Sequence, residues 1–272
     1  MAKLRKKRKH RSSNPPQSPT RAAPVSIQPG GLLLDHQERQ LFVFTTEMLL
    51  NQLRRDGPKI EASFDKLCEN NLRELSGFFS TTLGLLFAGL RVATRHDQPL
   101  RVACAELLMN ACHSFGAAVA ILRLGYVLQP GIIIRSILEA VSTVLHLLQN
   151  PSDLASYRDG TLQSPKTFAA AKRAIPPLGN LYGYFSDNFA HIGHLHKSAT
   201  ILSEFNERHD ALEVNLGFLR IAAWLLYVAV ELLFHELLEQ SRYWRPAPNG
   251  YVYDPSDEER EWMTAFFRMK DA

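Results

Sequence analysis

Residues 130–150 read PGIIIRSILEAVSTVLHLLQN, and the reading of this stretch decides the fold. Ile133, Ile134, Ile137, Leu138 and Val141 recur at the one-, three- and four-residue steps that place apolar side chains on one broad helical face. Pro130 suits the first turn of a helix, where its missing N–H removes nothing, and Pro151 stops it. Arg135 and Glu139 stand four apart on this apolar segment, so their ion pair is partly buried and needs partners beyond itself.

Working outward, the same period predicts helices almost everywhere from residue 32. LLLDHQERQLFVFTTEMLLNQLRR (32–55) reads as a first helix stopped by Asp56-Gly57-Pro58. Residues 59–95 form a second, with a bend expected near Ser76-Gly77, and Leu100–Leu128 a third. After the quoted helix, 151–178 is rich in Pro and Ser and should hold only short helices. NLYGYFSDNFAHIGHLH (180–196) follows, then a long apolar helix from about 210 to 243. PSDEEREWMTAFFRM (255–269) opens with a capping box, Ser256 to Glu259, and predicts a terminal amphipathic helix. No stretch alternates with period two, and no repeat is found. The expected architecture is all-α: a single bundle of about six or seven helices over 32–272.

Residues 1–31 are predicted to form a disordered basic arm rich in Pro and Ser. The first 24 residues carry eight Lys/Arg and no acid, which leaves 23 basic against 27 acidic residues in the remainder. The basicity therefore belongs to the arm, and Lys3, Arg5, Lys6, Lys7, Arg8, Lys9 and Arg11 are the expected contacts to nucleic acid, RNA first. Cys68, Cys104 and Cys112 show no paired spacing and read as buried thiols in a reducing cytoplasm. The charged start lacks the apolar core of a secretory signal. Residues 214–234 are long enough to span a bilayer, but Arg220 and Glu231 would be expensive there, so no stable membrane insertion is expected.

RSILEAVSTVLHLL followed some fifty residues later by YFSDNFAHIG resembles the HEPN-like helical domains of unknown function. These pair an Arg-x-x-x-Glu helix with a later Tyr/Ser/His helix end. The resemblance covers roughly residues 100–240, and the matching positions are Arg135, Glu139, Ser186 and His191, with Tyr182 or Tyr184 beside them. It implies an all-α fold whose Arg/Glu helix faces the His-bearing segment. It also implies an RNA-cleaving, RNA-associated or nucleotide-binding role of the kind found in prokaryotic defence, toxin and stress systems, with an activating or antitoxin partner. The superfamily's Arg-x4-6-His nuclease signature is met only at Arg5/His10 and Arg91/His96, both away from this cluster.

Independently of the resemblance, α-helical spacing puts Tyr184, Asp187 and His191 on one face. Asp187 would orient the imidazole, His191 would move a proton, and Arg135 would hold phosphate, with Glu139 orienting and Tyr184 lining the site. That set suffices for metal-independent RNA cleavage through the 2′-hydroxyl. The competing reading is a closed hydrogen-bond network that fixes helix register. HIGHLH lacks the Cys or Glu-x-x-His companions of a metal site, so neither metal nor cofactor is expected. SRYWRPAPNGYVYDP (241–255) either stacks on bases or packs over the bundle end. Three functions stay open: a ribonuclease or RNA-associated effector; a non-enzymatic helical interaction module, a homodimer through an apolar helix face, tethered to nucleic acid by its arm; and, behind these, a membrane-associated protein using the 214–234 helix.

Overall fold

The quoted stretch is a helix in the computed structural model, from Gln129 to Gln149, with Pro130 in its first turn as its spacing requires. The structure describes residues 29–267 apart from 38, 191–193, 198–200 and 249. The arm contacts from Lys3 to Arg11 lie outside the described residues, and so does His191.

The packing divides the chain after Asn51, beyond the boundary at residue 31 expected from composition. The first unit corrects the sequence reading. In place of a helix over 32–55, strand β1 (Pro29–Asp35) pairs antiparallel with β2 (Gln40–Thr45), Leu32 opposite Val43 and Leu34 opposite Leu41. Arg39 takes a left-handed φ of 52° in the connection. The unit ends in one helical turn, Met48–Asn51, where Asn51 Nδ2 donates to Thr45 Oγ1 at 3.1 Å.

The second unit holds, among the described residues, seven helices of nine residues or more. They are α1 (Gly57–Arg95), α2 (Pro99–Arg123), α3 (Gln129–Gln149), α4 (Ser164–Ala174), α5 (Pro177–Phe185), α6 (Asp210–Leu233) and α7 (Asp257–Phe267). The all-α class therefore holds for the body of the protein. α1 kinks at Cys68 (φ −114°, ψ 16°) and not at Ser76-Gly77. α2 stops at Arg123 and not at 128. Gly125, at φ 89°, lets its own N–H reach Leu122 O (2.9 Å) and the Tyr126 N–H reach Ile121 O (3.2 Å), a Schellman end.

α6 is the central helix and packs against α1, α2 and α3. Its Leu212, Leu216, Ala222, Leu225, Leu226, Val228 and Ala229 are fully buried. Each buried Leu or Val on such a face stabilises by roughly 1.5–3 kcal/mol relative to exposure. The two charges that argue against a membrane span find partners in this core. Arg220 donates to Glu74 Oε2 at 2.7 and 3.2 Å, and Glu231 accepts the N–H groups of Tyr243 (2.7 Å) and Trp244 (3.1 Å). Four helical stretches (Met48–Arg95, Pro99–Arg123, Gln129–Gln149 and Asp210–Leu233) are long and apolar enough to cross a membrane by length and composition alone.

α6 ends at Leu233, ten residues short of expectation. Beyond it a second hairpin, β3 (Trp244–Ala247) with β4 (Gly250–Tyr253), forms within the 241–255 segment. Trp244 Nε1 donates to Val228 O at 2.8 Å, so the hairpin is stitched back onto α6. α7 begins as its capping box requires: Ser256 Oγ accepts from Glu259 N at 3.2 Å. The Glu259 carboxylate then takes both arms of Arg242 (2.6 and 2.8 Å), whose guanidinium lies 5.3–5.9 Å from the ring centres of Phe78, Tyr227, Tyr243 and Trp262.

Candidate functional site

One stripe of α3 carries Arg135, Glu139, Ser142 and His146, spaced four, three and four apart, the steps that keep side chains on one helical face. At its upper end Arg135 Nη2 lies 3.0 Å from Glu139 Oε1 and donates to Tyr182 OH at 2.7 Å. Tyr182 OH donates in turn to Glu139 Oε1 at 3.4 Å. The guanidinium also sits over the Tyr182 ring, 5.0 Å from its centre, and Phe168 packs on the same ring at 3.7 Å. Each member thus bonds to the other two, which is the partner a partly buried ion pair needs beyond itself. Arg135 Nε is buried and has no hydrogen-bond partner among the described residues.

The structure selects Tyr182 over Tyr184 for this cluster. Two residues along a helix is a rotation of about 200°, so the two phenols point to opposite sides. Tyr184 is 44% exposed and packs against Phe185, Phe189 and Phe218 instead. Ser186 and Asp187 also fall away from the expected arrangement. From Ser186 to Ala190 the chain is π-helical, with a wider turn, so the α-helical spacing that aligned Tyr184, Asp187 and His191 does not apply. Asp187 is exposed, and neither it nor Ser186 hydrogen-bonds to Arg135 or Glu139 among the described residues. What the turn does bring to α3 is Phe189, whose ring lies on the bare backbone of Gly131.

The lower end of the stripe holds a cluster that the sequence reading passed over. His146 is 2% exposed, and its Nε2 lies 2.7 Å from Asp153 Oδ2. Lys166 Nζ donates to the same oxygen at 2.7 Å, and Asn150 Nδ2 lies 3.4 Å from His146 Nδ1. This arrangement suits the tautomer with its proton on Nε2. The Lys166 ammonium, then the imidazole, hold the Asp153 carboxyl below its ordinary range. A His–Asp pair would fit proton transfer, but burial keeps any substrate away from the ring. Its job is mechanical: it pins the end of α3 to the turn Pro151–Asp153 and to the first turn of α4. The signal was present in the sequence as Arg135-x3-Glu139-x2-Ser142-x3-His146, a spacing longer than any Arg/His nuclease signature.

Ser142 Oγ, between the two clusters, is fully buried and has no partner among the described residues. No group of three His, Cys, Asp or Glu side chains among the described residues is placed to hold a metal. Comparison with protein-family models, with curated proteins and with solved structures gives no match.

Proposed function

We propose that the helical body is a non-enzymatic interaction module and that its basic arm tethers it to nucleic acid, RNA first. The observation that carries this reading is the mutual bonding of Arg135, Glu139 and Tyr182. The Nη2 group of the guanidinium is already donated to Tyr182 and paired with Glu139, and a mutually bonded set of this kind fixes helix register. The arm supports the second half of the proposal through charge alone, eight Lys/Arg without an acid in 24 residues.

A second reading keeps the HEPN-like, metal-independent ribonuclease in play. One observation favours it: the Arg135 and Glu139 side chains are 27% and 32% exposed, so the cluster is open to water on one side. The two readings part in a single experiment on a labelled mixed RNA pool. It uses wild type, Arg135→Ala, His191→Ala and a chain lacking residues 1–24, each with its melting temperature measured. The expected outcome is binding without cutting. Log Kd should depend on log salt with a slope of magnitude up to about 6, the value for neutralising eight single-strand phosphates. Deleting the arm should abolish binding, while Arg135→Ala binds normally and melts lower. Cleavage that disappears in both point variants while both remain folded overturns the module and establishes the ribonuclease.

A further inference from the structure

Residues 75–90, LSGFFSTTLGLLFAGL, run through the middle of α1 without a charge, between Glu74 and Arg91. The apolar window of the Met48–Arg95 stretch is only 22% buried, against 78% for that of α6. The core takes up the apolar surface of α6, whereas α1 keeps much of its own outward, with Phe87 at 54% exposure. Ser76, Ser80, Gly84 and Ala88 are exposed beside it, four residues apart, so nothing bulky holds a neighbouring helix away from this stripe.

Next to the stripe an open groove of about 410 Å³ runs between α1 and α2. Leu72, Leu75 and Phe79 line it from α1, and Phe115 and Val119 from α2. Phe79 and Phe115 stack at 5.1 Å in its wall, and Gly116 and Ser76 keep its mouth clear of large side chains. Asp65 and Arg123 sit at the groove and bond to each other at 2.6 and 2.8 Å, so the charges there are already neutralised.

The knob and the groove belong to the same face. Phe87 lies eleven residues beyond Ser76, three turns on and on the same side of the helix. A second α1 laid antiparallel, with the two-fold axis at the level of Thr82, sets Ser80 opposite the second copy's Gly84 and Ser76 opposite its Ala88. The same register sets Phe87 opposite the second copy's Gly77, at the mouth of the second copy's groove. A two-fold contact uses one patch twice and must be complementary to itself, and this patch is. The uncharged run is about 24 Å long, and with α2 beside it the face is about 20 Å wide, near the low end of the standard interface size.

From this arrangement we propose that a second copy of the chain docks on the outer face of α1 and α2, the two α1 helices antiparallel and Phe87 of each copy seated in the groove of the other. The proposal deepens the module reading and rests on it, since it names the partner of that module. It uses neither the arm nor the Arg135 network.

The test is the mass of the full chain by sedimentation equilibrium over a range of concentrations, without RNA. The expected result is a dimer with Kd on the order of micromolar, as an interface of this size supports. Phe87→Ala should weaken it about tenfold or more, the loss expected for an aromatic anchor in a pocket. A Cβ at Gly84 meets no other atom, so Gly84→Arg should fold with the wild-type circular dichroism and yet leave a monomer. Leu32→Glu, in the exposed β1–β2 hairpin, should leave the dimer intact. A wild-type monomer at about 100 µM overturns the proposal, and flotation of that monomer with phosphatidylcholine vesicles would give the face to lipid. A dimer that Gly84→Arg leaves unchanged also overturns it, and loss through Leu32→Glu would then trace the contact to the hairpin. The two readings fail separately: a monomer that binds RNA without cutting it removes only the dimer, whereas a dimer that cuts RNA removes only the module.

Discussion

At the scale of the residue, the position of one hydroxyl separates the candidate site from its surroundings. Tyr182 accepts from Arg135 and donates to Glu139, whereas Tyr184, two positions on, has its ring among Phe185, Phe189 and Phe218. Tyr182→Phe should therefore lower the unfolding free energy by roughly 0.5–1.5 kcal/mol, the net worth of a typical hydrogen bond. Tyr184→Phe should leave it nearly unchanged. Urea unfolding of the two variants checks this, and a larger loss at Tyr184 would remove the network as the reason for the Arg135 geometry. Gly131 is a second such position, because a Cβ there would enter the Phe189 ring. Gly131→Ala is expected to destabilise by about 1–3 kcal/mol, the usual range for overpacking, despite alanine's better helix propensity. A gain in melting temperature would show that the Phe189 turn yields freely. Arg135 and Glu139 were legible from sequence because opposite charges four apart on an apolar helix lie within reach of each other and lose less by pairing than by standing alone. The choice between Tyr182 and Tyr184 was not, because it depends on where α5 gives way to a π-helical turn at Ser186.

At the scale of the element, Glu231 joins α6 to the hairpin that follows it. It is fully buried, accepts two backbone N–H groups, and burial raises its carboxyl above the ordinary range despite those bonds. Such a group holds its proton more tightly folded than unfolded. Its contribution is present below the unfolded value, about 4.3, and is lost as pH rises through the folded value. Glu231→Gln keeps an acceptor and cannot ionise. Its melting temperature relative to wild type should therefore improve as pH rises above the unfolded value and level off beyond the folded one, and a difference that falls over that rise would contradict the assignment. The hairpins are also where sequence reading failed. LLL and LFVF are apolar runs too short to tell period two from period 3.6, and leucines near positions i and i+3 imitate a helix. In hindsight the FVF run, Gly30-Gly31 ahead of it and the polar DHQE connection were strand and turn signals. α6 ended early for a related reason. Its apolar pattern continues past Leu233, but Phe234 leaves helical geometry and the chain turns back to deliver Trp244 to Val228.

At the scale of the whole molecule, the second unit is a bundle wrapped around α6, and its three cysteines report on that core. Cys68, Cys104 and Cys112 are free and fully buried, and burial pushes the thiols of Cys104 and Cys112 up to about 12. The folded chain should leave them unreactive toward a thiol reagent at pH 8 and release all three on unfolding. Rapid modification under native conditions would mean that this core opens locally. The sequence by itself determined the helical class, the central apolar helix, the capping box at Ser256 and the ion pair on α3. Each of these is a property of neighbouring residues, set by periodicity, by Pro and Gly, and by i,i+4 reach. Only the tertiary structure decided that 29–45 pairs as strands, that Tyr182 and not Tyr184 meets Arg135, and that His146 is sealed against Asp153. It alone also brought Phe79 of α1 and Phe115 of α2 to one groove. Those outcomes depend on which distant segments bury each other, and the free energy that settles them comes from shared apolar surface and mutual hydrogen bonding, which no local pattern encodes.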